Sequence, residues 1–74
     1  MTRCLTDLAA RGTVAYYEEW LRDLQEELNE EAAKFWSARG AGDAAAMSRA
    51  AGQIRIICLE IPFTLADLEA ARRR

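Results

Sequence analysis

The residues best suited to metal or redox chemistry are two cysteines, Cys4 and Cys58, which stand 54 positions apart. The chain contains no histidine. A structural zinc ion needs four protein ligands, which two isolated thiols cannot supply, and one widely spaced pair does not make a disulfide framework. We therefore expect no metal, no cofactor and no disulfide, and we expect each cysteine to be a small buried apolar side chain.

The carboxylates are the next candidates, because paired acids can act as general acid and base. Here they occur as sequence neighbours, such as Glu26 with Glu27, and adjacent residues do not face each other on a helix. The sequence also has no glycine-rich phosphate loop, and no serine or cysteine stands beside a plausible base. We expect no catalytic residues and no enzymatic activity.

Three arginines at the end of the sequence, Arg72, Arg73 and Arg74, could contact the phosphates of a nucleic acid. Three positive charges are a small electrostatic footprint, and the chain as a whole carries a net charge of −2. We therefore do not expect a nucleic-acid partner. A small regulatory or DNA-linked adaptor that uses this basic C-terminus is kept as the alternative function.

The length of 74 residues allows a single small domain, 1–74, with a marginal hydrophobic core. Such domains usually compensate with disulfides, a metal or oligomerisation, and the first two are not expected here. No apolar run approaches the roughly 20 residues that cross a bilayer, so we expect a soluble protein without a membrane partner. Contacts with other protein surfaces are therefore the expected means of stabilising this small core.

The elements that must present these contacts are helices. The sequence has few helix breakers, with one proline and four glycines. Its apolar residues recur at alternating steps of three and four positions, which is typical of a helix that buries one narrow seam. In the first helix, predicted over 13–39, the recurring residues are Val14, Tyr17, Leu21, Leu24, Leu28 and Phe35.

A second helix is predicted over 43–61, with Asp43 as its N-cap and Pro62 as its stop. Its seam consists of Met47, Ala50, Ile54, Ile57 and Ile61. Thr64 is expected to cap a short tail helix over 64–73, and residues 1–12 are expected to form an arm or short helix. Gly52 is expected to let the two long helices approach each other closely.

The fold predicted from these segments is all-α: an antiparallel helical hairpin with a short N-terminal arm and a short C-terminal helix. The connection around Gly42 is short, which forces the helices to lie side by side. A strand over 53–59 is the competing prediction, because that segment is rich in β-branched residues. No second strand-like segment is present to pair with it, so we favour a helix.

Several large apolar residues do not fit into a single hairpin seam. Extended apolar surface on a small chain usually marks an interaction site, and tryptophan and tyrosine are common anchors. We predict a protein interface formed by Tyr16, Trp20, Trp36, Ile56, Leu59 and Phe63. The alternative is that the arm, with Cys4, Leu5 and Leu8, and the tail helix, with Leu65 and Leu68, fold back over these residues.

A glutamate-rich first helix is followed by the turn GAGD at 40–43, the stretch AGQIRII at 51–57 and the stop LEIP at 59–62. This arrangement, over residues 13–62, resembles the small helical-hairpin proteins encoded among the head and tail genes of tailed bacteriophages. The resemblance implies a minor virion component at the portal, the head-tail connector or the capsid, first cytoplasmic in the bacterial host and then part of the virion.

The function expected from the sequence is that of a non-enzymatic structural or assembly protein. Its partners would be copies of itself, a larger phage structural protein such as the portal or connector, or both. A plain coiled-coil dimerisation module is a further alternative, in which Leu24 and Leu28 would hold the two chains together.

Overall fold

The computed structural model describes residues 12–74 and consists there of two helices. Helix α1 spans Val14–Ala41 and helix α2 spans Ala44–Arg72. They pack against each other along the hairpin, which confirms the predicted all-α helical hairpin. The segment 53–59 is helical, so the strand alternative is wrong. The predicted arm over 1–12, apart from its last residue, lies outside the described residues.

The two helices are joined by an elbow of two residues, Gly42 and Asp43. Gly42 has a φ of 69°, a left-handed conformation that glycine adopts without steric cost. The Gly42 N–H donates to the Arg39 carbonyl at 3.1 Å, and the Asp43 N–H donates to the Ala38 carbonyl at 2.9 Å, which is the Schellman arrangement that ends a helix. The Asp43 carboxylate then accepts from the Ala46 N–H at 3.0 Å and caps α2 as predicted.

Helix α2 continues through Pro62, so the predicted stop at this proline and the separate tail helix over 64–73 are wrong. Proline has no N–H to donate to the carbonyl of Cys58, and inside a helix it costs about 3 kcal/mol. Both residues are exposed, so water can bond the freed carbonyl. Ile57 and Thr64 are buried on either side of the proline and hold both halves of α2 against α1.

Three residues of α2 differ from their sequence predictions. Thr64 is not an N-cap, because its hydroxyl donates to the Glu60 carbonyl at 3.1 Å within the continuous helix. Gly52 does not mark a close approach, since a Cβ atom placed there would meet nothing within 4 Å. Cys58 is an exposed free thiol instead of a buried side chain. Cys4 lies outside the described residues.

The core of the hairpin is thin. In residues 12–74 no side chain is completely enclosed, and the buried residues are Leu24, Ala38, Ala50, Ile57, Thr64, Leu68 and Ala71. Two helices can cover each other along one line of contact only, so each keeps most of its circumference open. The surfaces open to other molecules are therefore the helix faces that the hairpin contact leaves uncovered.

Candidate interaction surfaces

Two rows of side chains, each repeating every seven residues, run along both helices. The inner row consists of Tyr17, Leu24, Glu31, Ala38, Ala50, Ile57, Thr64 and Ala71. The side row consists of Val14, Leu21, Leu28, Phe35, Met47, Ile54, Ile61 and Leu68. Six inner-row residues are buried, whereas Leu68 alone is buried in the side row. The helices meet through the inner row, and the bulkier side row is left half-buried.

An ion pair shows that the side rows of α1 and α2 open onto the same face of the hairpin. Glu18 follows the side-row residue Val14 by four positions, and Arg72 follows Leu68 by four. The Arg72 Nη2 atom lies 3.5 Å from the Glu18 Oε2 atom across the two helices. Residues four apart share one side of a helix. We define the apolar face as the side row together with Ala32, Ala51, Cys58 and Leu65.

The apolar spacing alone does not reveal this apolar face, because it predicts both rows as a single buried seam. Leu65, predicted as part of a covering tail, is 49% exposed. Two signals in the sequence could have separated the rows. The inner row contains four of the smallest side chains, namely those of three alanines and one threonine. In α2, small or apolar residues also follow the side row at the fourth position, as Ala51, Cys58 and Leu65 do.

Three of the predicted interface residues lie together on the flank of α2 opposite the apolar face. Ile56, Leu59 and Phe63 are separated by three and four positions and are 51%, 63% and 73% exposed. Residues at this spacing stand one above the other on a helix surface. We call these three residues the outer stripe. It is a continuous apolar strip that nothing in residues 12–74 covers.

Tyr16 and Trp20, two further predicted interface residues, lie at the open end of the hairpin, where α1 begins and α2 ends. Their rings are stacked with centroids 6.3 Å apart. Together with Phe63 of the outer stripe they line a cavity of about 330 Å³, whose polar walls include Glu60 and Asp67. The structure therefore brings Tyr16, Trp20 and Phe63 into one site that is part aromatic and part acidic.

Trp36, the remaining predicted interface residue, is separate from the others. It lies on α1 near the elbow, roughly 30 Å along the helix from Tyr16 at 1.5 Å per residue. Trp36 is 59% exposed, and the Arg39 guanidinium stands 5.2 Å from its ring centroid. The Phe35 ring meets it edge-on at 5.4 Å. Trp36 belongs to the elbow end of the hairpin and is no part of the outer stripe.

The charged side chains of α1 are concentrated on the side opposite the apolar face. Asp23, Glu26, Glu27 and Glu30 line a shallow depression of about 310 Å³. Nearer the elbow, a larger groove of about 970 Å³ between the helices is lined by two basic residues, Lys34 and Arg49, and two acidic ones, Glu31 and Asp43. Within residues 12–74 no group of three or more acids or cysteines is arranged to hold a metal ion. This side of the hairpin is acidic in its middle and carries charges of both signs toward the elbow.

The three arginines proposed as phosphate contacts are exposed at the end of α2. The Arg72 guanidinium is already engaged by the Glu18 carboxylate. The Arg73 backbone N–H donates to the carbonyls of Glu69 and Ala70 and ends the helix. The structure thus places Arg72 at the edge of the apolar face, beside a carboxylate that would repel phosphate.

Neither helix of the described region is both long enough and apolar enough to cross a membrane. Comparisons with protein-family models, with curated proteins and with solved structures give no match. The surfaces of the hairpin are therefore interpreted from their own chemistry.

Proposed function

We propose that this chain is a non-enzymatic structural or assembly protein that acts through helix-helix contacts with other protein chains. The observation that carries the proposal is the outer stripe. Its three large apolar side chains are each more than half exposed, and burying one such side chain contributes about 1.5–3 kcal/mol. A partner that covers the stripe gains this free energy without any rearrangement of the hairpin.

The spacing of the outer stripe favours a partner with an apolar groove. Leu59 and Phe63 follow Ile56 by three and seven positions, which is the anchor spacing of a helix laid into a groove of its partner. Phe63 is the most exposed of the three and adjoins the aromatic cavity at the open end. We assign Phe63 the central anchor position, with Tyr16 and Trp20 beside it.

The acidic depression on α1 gives the proposed contact an orientation. Asp23, Glu26, Glu27 and Glu30 bring four negative charges to one part of the surface. Charges at the rim of an interface steer encounter and fix register more than they add affinity. The partner surface we propose is therefore apolar opposite the outer stripe and basic opposite this depression.

The setting we propose is a tailed-bacteriophage particle, with the portal, the head-tail connector or the capsid as the larger partner. The support for this setting is the resemblance of residues 13–62 to hairpin proteins of such phages. Its test is mass spectrometry of purified particles, in which the chain should be present at a fixed copy number. Its absence from particles would remove the phage setting and leave the outer stripe to another partner.

The contact itself is tested by affinity capture with the tagged full chain from its native cells, comparing the wild type with Leu59→Glu. We expect the wild type to retain one defined protein at constant stoichiometry, and we expect Leu59→Glu to reduce the recovery at least about tenfold, because a buried unpaired charge weakens an interface strongly. Asn29→Glu is the matched control, since it adds the same charge at an exposed position of α1. Equal recovery with both variants, or no retained protein, would contradict the proposal.

A further inference from the structure

The apolar face is distinct from the outer stripe, and a separate partner is needed to cover it. It contains the side row, whose members are half-buried apart from Leu68, and the exposed side chains of Cys58 and Leu65. Helices that pack in bundles of more than two carry apolar residues at the two seam rows and at one flanking row. Helix α2 has this wider pattern, and its contact with α1 alone leaves part of these apolar side chains uncovered.

The charge of the apolar face suits contact with an identical face. Of the seven acids between Glu18 and Glu31, only Glu18 lies on its edge, where Arg72 neutralises it. The side row itself contains no charged residue. Depletion of charge marks the centre of protein interfaces. Two such faces do not repel each other, whereas the acidic sides of two copies of α1 would.

The side of the hairpin that carries the apolar face is large enough for a stable dimer interface. Helix α1 has 28 residues, so this side is about 42 Å long at 1.5 Å per residue. Two helices packed side by side make it about 20 Å wide. Its outline is therefore roughly 800 Å², which leaves room for the usual contribution of one partner to a standard interface.

We propose that a second copy of this chain covers the apolar face, so that two hairpins form a four-helix bundle with two-fold symmetry. The inference rests on the proposed function in taking the chain to act through helix-helix contacts, and it deepens that function by naming the partner of a second surface. In the bundle, the side rows of both copies form the shared core. The outer stripe of each copy stays on the outside and remains available to the larger partner.

Two exposed leucines of α2, six residues apart, test this arrangement as a matched pair. Leu65 lies on the apolar face and Leu59 on the outer stripe. In sedimentation equilibrium we expect the wild-type chain to have twice its 8.3 kDa mass. We expect Leu65→Glu to raise the dimer dissociation constant at least about 100-fold and Leu59→Glu to change it less than about threefold. Circular dichroism of each variant reports whether the helices are intact.

Cys58 provides a second measurement that leaves the apolar face unmutated. In a Cys4→Ser chain it is the single thiol, and the two-copy arrangement places it within the covered surface. We expect its rate of maleimide labelling to fall at least about tenfold as the protein concentration rises from the monomer range to the dimer range. In Leu65→Glu the rate should not depend on concentration.

A wild-type chain that is monomeric up to about 1 mM would contradict the proposed dimer. The apolar face would then have to be covered by residues 1–11 of the same chain or by a different protein. Dissociation by Leu59→Glu in place of Leu65→Glu would overturn the dimer as well, because it would move the contact to the outer stripe. The capture experiment with Leu59→Glu does not depend on either result. Failure of the dimer and failure of the proposed function can therefore be told apart.

Discussion

The two sides of α2 differ in the size of the side chains they carry. The side buried against α1 presents Ala50, Ile57, Thr64, Leu68 and Ala71. The flank opposite the apolar face presents Ile56, Leu59 and Phe63. Small residues in a contact row let two helices approach closely, but each buries little apolar area. A helix that had only α1 to pack against would be expected to place its largest apolar residues inward.

This difference shows that the hairpin contact is narrow and that the stability of the hairpin depends on very few side chains. Ile57 and Leu24 are the large residues buried in the inner row, each with 4% of its surface exposed. The exposed part of the outer stripe and of the apolar face contributes to stability when another surface covers it. A domain of this size is usually stabilised in that way.

The sharpest test of the comparison uses two adjacent isoleucines of α2, one buried against α1 and one exposed. Ile57 is buried and Ile56 is 51% exposed. We expect Ile57→Ala to lower the free energy of unfolding by about 2–4 kcal/mol, because it removes buried methyl groups and leaves a cavity. We expect Ile56→Ala to lower it by less than about 0.5 kcal/mol in the isolated chain. Urea titration followed by circular dichroism measures both values.

If Ile57→Ala leaves no folded chain to titrate, Ile57→Val provides the smaller step, with an expected loss of about 0.5–1.5 kcal/mol. Equal losses of unfolding free energy for Ile56→Ala and Ile57→Ala would contradict the difference between the two sides of α2. They would mean that the outer stripe is covered in the purified protein and that the two sides of α2 are equally buried.

The second test compares two glycines, one at the elbow and one in the first half of α2. Gly42→Ala should destabilise the hairpin by about 1–2 kcal/mol, because a Cβ atom is strained at its positive φ of 69°. Gly52→Ala should stabilise it by about 0.5–1 kcal/mol, because the position is helical and a Cβ atom there has open space. Thermal unfolding of the two variants measures the opposite signs. A loss with Gly52→Ala would show that something occupies the space beside it.

The hairpin, its elbow and its capping residue could be predicted from the sequence because each depends on local patterns. Apolar spacing predicted both helices, Gly42 indicated the turn, and Asp43 indicated the N-cap of α2. The outer stripe could also be predicted from the sequence, since Ile56 and Leu59 fall outside the row formed by Ile54, Ile57 and Ile61. Counting positions on a helix is enough for such features.

The features that could not be predicted depend on packing between the helices. A proline usually ends a helix, but α2 continues through Pro62 because buried residues on both sides hold it against α1. The separation of inner and side rows depends on side-chain size, which an apolar count ignores. Trp36 was grouped with Tyr16 because both fall outside the seam, although they lie at opposite ends of α1.

The smallest expected effect concerns the ion pair at the edge of the apolar face. Glu18 and Arg72 are both about half exposed, with 3.5 Å between the paired atoms. Such a pair contributes little, because water screens it and two long side chains must be ordered. We expect a double-mutant cycle with Glu18→Gln and Arg72→Gln to give a coupling below about 0.5 kcal/mol in the monomer, and we expect added salt to abolish it.

The same cycle distinguishes the free apolar face from the covered one. A second copy on that face would remove water from one side of the pair, and a desolvated pair is screened less. At protein concentrations that favour the dimer, we expect the coupling to exceed about 1 kcal/mol and to persist in salt. The pair of Lys34 with Glu31, at 3.0 Å within α1 and away from the face, serves as the control and should not change. A Glu18–Arg72 coupling that stays equally small at both concentrations would mean that the edge of the apolar face remains in water, and the two-copy arrangement would then have to leave the open end uncovered.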